Sequence, residues 1–284
     1  MEFVWIIVSV MIVGALTMWL ERLKLFGNTV AWLVLPIVVA CLWAISDSAL
    51  VNMFSYIKFV SVIAACLMVA AMRFKGWCDH HWARVIMYLI LFINICEGVG
   101  FEILDITTGG PERHYGGFIF NAMAGILILL TQAYPRLMQI DSSHPNRPLM
   151  YDLGLPWILA YMLWNITFIY GCNAPGEPAG QWAATGIAHL ATPFLLMMWR
   201  KRIDLWFHAR VISLTIYVVY IISFPREPWL PLTEEWMVRE VADGMGIAAF
   251  VLALVMSILI VRGRAAGEPP RNLLESAWVK VGGR

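Results

Sequence analysis

The chain has 284 residues, of which 61% are hydrophobic and 14% charged, and its formal net charge is +1. A soluble domain usually carries about 25% charged and 45–50% apolar residues, so this composition excludes an ordinary soluble domain. No feature of the sequence indicates a nucleic-acid partner. Apolar runs of about 18 residues or more, the length that crosses a hydrocarbon core of ~30 Å, predict an all-α polytopic transmembrane helix bundle that has the lipid bilayer as its partner.

Nine spans are predicted in chain order, and the turn-forming stretches LFGN, TTGGPERHYGG, SSHPNRP, NAPGEPAG and FPREPWLP separate several of them. The spans cover residues 3–20, 29–46, 56–73, 84–104, 117–134, 151–171, 180–199, 205–223 and 237–262. We therefore expect one transmembrane helical domain over residues 1–263 and a basic cytoplasmic tail over residues 264–284.

The charges predict an orientation. With the N-terminus outside, 16 of the 20 Lys and Arg residues fall on the cytoplasmic side, so the positive-inside rule favours N-out and C-in. Twelve of the 19 acids then fall on the outer side or in the outer half. Because Asp and Glu contribute little to topology, we interpret this outer acidity as a field that attracts cations.

The fourth span ends in NICEGVGFEILD, which places three acids close to the bilayer interior. On a helix, Asn94, Glu97, Glu102 and Asp105 fall within an arc of about 140°. Gly98 lies in the same arc and leaves room for a helix, water or ligand. Acids within a span usually face a wet cavity and mark a functional site, so these three acids are candidate ligand-binding residues, and Glu97 is a candidate for proton coupling.

Polar and aromatic side chains of the later spans are predicted to share this outer chamber. In the fifth span, Gly117, Asn121 and Gly125 form a stripe that permits close helix packing. Glycines at 98 and 100 and a proline at 193 are candidate helix breaks. The other predicted ligand-binding residues are Asn121, Tyr161, Trp164, Asn165, His189, Tyr217, Tyr220, Glu240 and Asp243.

Several chemistries lack the residues that they need. The five lysines (24, 58, 75, 201 and 280) lie near span ends or in loops, which leaves no Schiff-base position for retinal. Only His189 is close to the centre of a span, so a bis-histidine haem is not expected. The loop Cys78–His81 is interpreted as solvated because adjacent residues do not readily converge on one tetrahedral ion. We expect no cofactor, no metal and five unpaired cysteines, and the sequence indicates no catalytic residue.

Three stretches carry a family resemblance: GFIFNAMAGILILL (117–130), DLGLPWILAYMLWNITFIYGC (152–172) and LWFHARVISL (205–214). They resemble an uncharacterised bacterial family of tryptophan-rich, multi-pass membrane proteins. The most specific part is the pattern YxLWNxxFxYxC, from Tyr161 to Cys172. The resemblance implies a multi-pass fold in the bacterial inner membrane and supplies no reaction.

Three functional hypotheses follow. The first is a transporter or channel for a small polar or cationic solute, with an outward-facing acidic and aromatic-lined cavity. The second is an integral membrane enzyme that uses Glu97 with His189, or a metal, in the same cavity. The third is a membrane sensor or assembly subunit. The sequence leaves the ligand open, and also whether the chain forms a homo-oligomer.

Overall fold

The computed structural model describes residues 2–45, 53–108, 118–171, 183–223, 238–264 and 268–281. The described residues are mostly α-helical, which confirms the predicted all-α class. The helices are α1 (Glu2–Glu21), α2 (Leu25–Thr29), α3 (Leu35–Ile45), α4 (Met53–Phe74), α5 (His81–Thr108), α6 (Phe118–Thr131), α7 (Leu155–Gly171), α8 (Ala183–Arg200), α9 (Trp206–Ser223), α10 (Arg239–Gly263) and α11 (Leu273–Lys280).

Five helical segments of the described part are long and apolar enough to cross a membrane. They are Phe3–Glu21, Ile57–Phe74, His81–Ile103, Ile203–Ile221 and Arg239–Gly263. The apolar helices Leu25–Cys41, Ile119–Thr131 and Leu155–Gly171 are shorter than this. The chain is therefore a helical membrane protein, while the count of nine spans and the N-out orientation stay predictions.

The second predicted span contains a local irregularity with an identifiable cause. A π-helical turn, Val30–Val34, joins α2 to α3. Pro36 lies two residues after this turn, and proline has no N–H to donate to the carbonyl four residues earlier. The Asn28 amide stabilises the turn before it, since Nδ2 donates to the Leu23 carbonyl at 2.7 Å and Oδ1 accepts from Trp32 Nε1 at 3.0 Å. A π-turn is a common way to absorb such a mismatch within a helix.

The chain forms two compact units, and the first comprises Met1–Ile90, Met138–Asp152 and Ala184–Pro231. In it α9 packs against α1 and α4. A short antiparallel hairpin, β1 (Met138–Ile140) with β2 (Leu149–Tyr151), also packs against α9. The prediction that the sixth span begins at residue 151 was wrong. Tyr151 ends β2, and its ring packs edge-on against that of Phe207, with the ring centroids 5.3 Å apart.

The second unit comprises Leu91–Leu137, Leu153–Ala183 and Leu232–Arg284. Here α6, α7 and α10 pack against one another, and α11 packs against α6 and α10. The α11 helix lies in the predicted basic tail and begins with a capping box, in which Asn272 Oδ1 accepts from the Glu275 N–H at 2.9 Å. The division into a domain over 1–263 and a cytoplasmic tail stays a prediction.

Two of the helices pass through the candidate breaks without interruption. The α5 helix continues through Gly98 and Gly100, and α8 continues through Pro193. The prediction of helix breaks at these three positions was therefore wrong. Glycine lowers helix propensity by only about 1 kcal/mol, which packing against neighbouring helices readily offsets.

Candidate functional site

Trp164 occupies the space that two glycines leave open in the second unit. A Cβ atom added at Gly98 of α5 would stand 2.9 Å from the Trp164 ring. One added at Gly125 of α6 would stand 2.8 Å from Trp164 Nε1. Real Cβ atoms do not approach other heavy atoms so closely, so both positions require glycine for this packing. The room predicted beside Gly98 exists, and the indole of α7 fills it.

The same indole belongs to a buried polar group that joins three helices. Asn121 Nδ2 donates a hydrogen bond to Glu102 Oε1, and it also donates to the Trp164 carbonyl oxygen at 3.1 Å. Trp164 Nε1 donates to Glu102 Oε2 at 3.4 Å. The exposed fractions are 0% for Glu102 and Asn121 and 1% for Trp164. We call Glu102, Asn121 and Trp164 the Glu102 cluster.

Asn121 can serve both protonation states of Glu102. As the structure has it, two neutral N–H groups point at the carboxylate. The Asn121 Oδ1 atom is buried and has no hydrogen-bond partner among the described residues. The two ends of an amide are interchangeable by rotation. After such a rotation, Oδ1 would accept a hydrogen bond from a protonated Glu102.

Other predicted residues of the second unit lie on the same helices. Asn165 Nδ2 donates to the Tyr161 hydroxyl at 3.1 Å, and the Tyr161 ring centroid lies 5.8 Å from that of Trp164. The predicted polar and aromatic face of α7 therefore exists. Glu97 is half-buried on α5, and the side chain of Asp105 lies outside the described residues.

The two acids at the start of α10 differ in burial. Glu240 is exposed, whereas Asp243 is half-buried. The Asp243 Oδ1 atom is itself buried and has no hydrogen-bond partner among the described residues. Their predicted participation in a common site with Glu102 stays a prediction.

The remaining predicted residues belong to the first unit. His189 is 1% exposed and stacks on Tyr217, with ring centroids 4.3 Å apart and an interplanar angle of 7°. The Ser213 hydroxyl donates to the His189 carbonyl oxygen at 2.7 Å. Tyr220 is half-buried on α9. The predicted ligand-binding residues thus fall into two groups, one in each unit.

In the described part of the chain, no side chains are assembled for metal binding or for thiol chemistry. No group of three or more His, Cys, Asp or Glu side chains is placed there to hold a metal ion. Cys41, Cys66, Cys78 and Cys96 are free thiols, and Cys172 lies outside the described residues. Burial raises the pKa of the Cys78 thiol, so the one cysteine of the CDHH loop is a poor nucleophile at neutral pH.

One group of residues in the first unit was not predicted from the sequence. Glu21, Arg22, Arg200 and His208 line a common cavity. Each basic residue was interpreted as part of the ordinary positive side of the membrane. His208 was not among the predicted site residues. The one available signal was a histidine placed near the end of an apolar helix.

The helices that are long and apolar enough to cross a membrane define the class of this chain as a helical membrane protein. Its sequence matches the family of unknown function DUF5692 over residues 1–266, and the chain belongs to that family. This confirms the resemblance to an uncharacterised family, from which no activity follows. No curated protein and no solved structure matches the chain.

Proposed function

We propose that this chain is a multi-pass membrane transport protein for protons or a small cationic solute, and that Glu102 is the carboxylate that binds them. The observation that carries the proposal is the complete burial of Glu102 among three helices. Acids within a transmembrane segment are costly to bury, and they typically mark ion or proton pathways.

The Glu102 cluster supplies the chemistry that a coupling site needs. An ionised Glu102 attracts a cation or a proton. A protonated Glu102 is neutral, and the unpartnered Oδ1 of Asn121 is available as its acceptor. The new O–H of a protonated Glu102 would therefore have an acceptor in place, which lowers the cost of changing the charge at this buried position. Glu97, half-buried and about one and a half turns earlier on α5, is the second carboxylate of the proposed path.

The predicted orientation gives this path a direction. With the N-terminus outside, Glu102 lies toward the outer end of its span, on the side that holds most of the acids. Aromatic rings near the path, such as Tyr161, offer cation–π contacts worth about 0.5–2 kcal/mol each. The distribution of Lys and Arg supports this orientation, and the family resemblance stated above supports a location in the bacterial inner membrane.

A flux assay in liposomes tests the proposal directly. Purified protein is reconstituted with a pH-sensitive dye inside, and a potassium diffusion potential, negative inside, is imposed with valinomycin. We expect wild-type liposomes to acidify faster than empty ones. Glu102→Gln, which keeps the shape and removes the ionisable group, should acidify no faster than empty liposomes. Glu268→Gln removes an equal charge at an exposed position and should behave as wild type.

A thermal-shift screen covers solutes other than the proton. The panel contains metal ions, polyamines, amino acids and quaternary amines, applied to wild type and Glu102→Gln. A ligand at 100 times its Kd should add ~2.7 kcal/mol to the free energy of unfolding. Wild type without proton flux and without any hit, together with a more stable Glu102→Gln variant, would mean that Glu102 has no transport role.

A further inference from the structure

A cavity of about 330 Å³ lies in the first unit, at the C-terminal ends of α1 and α8 and the beginning of α9. Its volume is at the lower end of the ~300–1,000 Å³ typical of small-molecule pockets. The lining residues that matter chemically are Glu21, Arg22, His144, Trp199, Arg200 and His208. We call this the basic cavity.

His208 is the strongest sign that the basic cavity holds a ligand. The side chain is 1% exposed, yet neither Nδ1 nor Nε2 has a hydrogen-bond partner among the described residues. Buried polar groups in proteins are almost always hydrogen-bonded. A neutral imidazole has one N–H to donate and one nitrogen that accepts. An oxygen of a ligand in the cavity would accept a hydrogen bond from the N–H of this imidazole.

The charges around His208 favour an anion. Arg22 and Arg200 line the cavity, and Arg73 lies behind its wall, where it donates to the carbonyl oxygens of Glu21 and Asn146 at 2.7 Å. Both Arg73 and Arg200 act electrostatically on His208. Two guanidinium groups and one carboxylate thus line the cavity, and a third guanidinium group lies close to it.

The one carboxylate is already engaged. Arg200 Nη1 donates to Glu21 Oε1 at 3.1 Å, and Nη2 donates to Oε2. Each of these nitrogens keeps a second N–H. The Arg22 side chain is exposed at the cavity and reaches it from α1. Guanidinium groups match the oxygens of phosphate in both charge and geometry.

The surroundings place this site at the level of lipid headgroups. Trp199, which lines the cavity, is 71% exposed, and Trp19 at the end of α1 is 59% exposed. Exposed tryptophans at the ends of apolar helices are typical of the membrane–water interface. Basic pockets between helix ends on the cytoplasmic side bind anionic headgroups.

We propose that the basic cavity binds an anionic phosphate group, with Arg22 and Arg200 on its oxygens and the N–H of His208 donating to one of them. An anionic phospholipid such as phosphatidylglycerol and inorganic phosphate both offer this chemistry. The residues of the basic cavity all belong to the first unit. The proposal therefore does not rest on the transport function of the Glu102 cluster.

The test is thermal unfolding of the detergent-purified full chain with four additives. They are dihexanoyl-phosphatidylglycerol, dihexanoyl-phosphatidylcholine, inorganic phosphate, and sodium chloride at matched ionic strength. We expect the Tm to rise with phosphatidylglycerol or with phosphate, and not with phosphatidylcholine or salt. A rise with phosphatidylglycerol alone identifies a lipid headgroup, and a rise with phosphate as well identifies a site open to the soluble ion.

Three variants decide whether the effect comes from the basic cavity. Arg22→Gln changes an exposed side chain and should weaken the apparent affinity at least about tenfold, because a charge-assisted hydrogen bond is lost. His208→Gln should weaken it too, although it changes a buried residue. Lys75→Gln removes the same charge at an exposed position of the same unit that does not line the cavity, and should match wild type. No rise with either anion, or an equal rise in Arg22→Gln and wild type, would overturn the proposal.

Discussion

In the Glu102 cluster, one carboxylate oxygen meets an amide N–H and the other meets an indole N–H, and all three side chains are sealed from solvent. In the basic cavity, His208 lines the wall, and both of its buried nitrogens lack a partner in the described part of the chain. Burial is equally deep in both regions, so the difference lies in the partners of the buried atoms. Both oxygens of Glu102 meet side-chain donors, whereas neither nitrogen of His208 has a partner among the described residues.

The largest expected effect is a difference in the free energy of unfolding between two tryptophan variants, one from each region. Trp164→Ala removes an indole that is 1% exposed and packed against two glycines, and should lower the free energy of unfolding by about 3–5 kcal/mol. Trp199→Ala removes an indole that is 71% exposed, and should change it by less than about 0.5 kcal/mol. Denaturant unfolding in detergent measures both. Similar losses in the two variants would show that Trp164 is not tightly packed.

Two glycines on α5 allow a packed position and an open position to be compared within one helix. Gly98→Ala places a Cβ atom against Trp164, and overpacking of this kind typically costs about 1–3 kcal/mol. Gly100→Ala meets no atom within 4 Å and should be neutral or stabilise the chain by up to about 1 kcal/mol, since alanine is the better helix former. The sign of the difference in Tm between these variants checks the position of the indole, and a stabilising Gly98→Ala would contradict it.

The hydrogen bond between Asn121 and Glu102 should appear as energetic coupling. Asn121→Leu removes the donor and leaves a buried carboxylate underbonded, which should cost about 1–3 kcal/mol. The same change in a Glu102→Gln background should cost less, because a neutral amide needs the donor less than a carboxylate does. A double-mutant cycle should therefore give a coupling of about 0.5–3 kcal/mol. Additive losses would mean that the two side chains do not interact.

Glu21→Gln separates stability from binding in the basic cavity. Because Glu21 is 6% exposed and paired with Arg200, its neutralisation should lower the free energy of unfolding by about 1 kcal/mol. It should also raise the affinity for phosphatidylglycerol or phosphate several-fold, since a competing negative charge disappears. A variant that loses both stability and affinity would show that Glu21 is needed to shape the cavity rather than opposing the anion.

Much of this arrangement follows from the sequence, and the missing part has a physical reason. The helical wheel of α5 correctly placed Glu102 and Gly98 on one face, but a wheel does not say which neighbour meets that face. Trp164 and Asn121 were predicted members of the site, whereas their bonds to Glu102 depend on how three helices pack. The strand ending at Tyr151 was missed because a short apolar run before a helix reads as part of that helix. His208 was not seen as a site because its cavity is built from segments far apart in the chain.

The smallest expected effect tests the hairpin that precedes α7. The Ser143 hydroxyl donates to Asp141 Oδ1, and Arg202 Nη1 donates to Oδ2 at 3.2 Å. The Ser143 hydrogen bond and then Arg202 hold the pKa of Asp141 below its ordinary value of 3.8.

A carboxyl group with a lower pKa in the folded state contributes stability above its unfolded pKa and loses it as the pH falls through the folded pKa. The difference in Tm between wild type and Asp141→Asn should therefore be constant at neutral pH and shrink below about pH 4. Since Asp141 lies outside the predicted spans, this change should leave proton flux and anion binding as they are. If the difference in Tm between wild type and Asp141→Asn instead grew as the pH fell, the folded-state pKa of Asp141 would not be lowered, which would contradict these contacts.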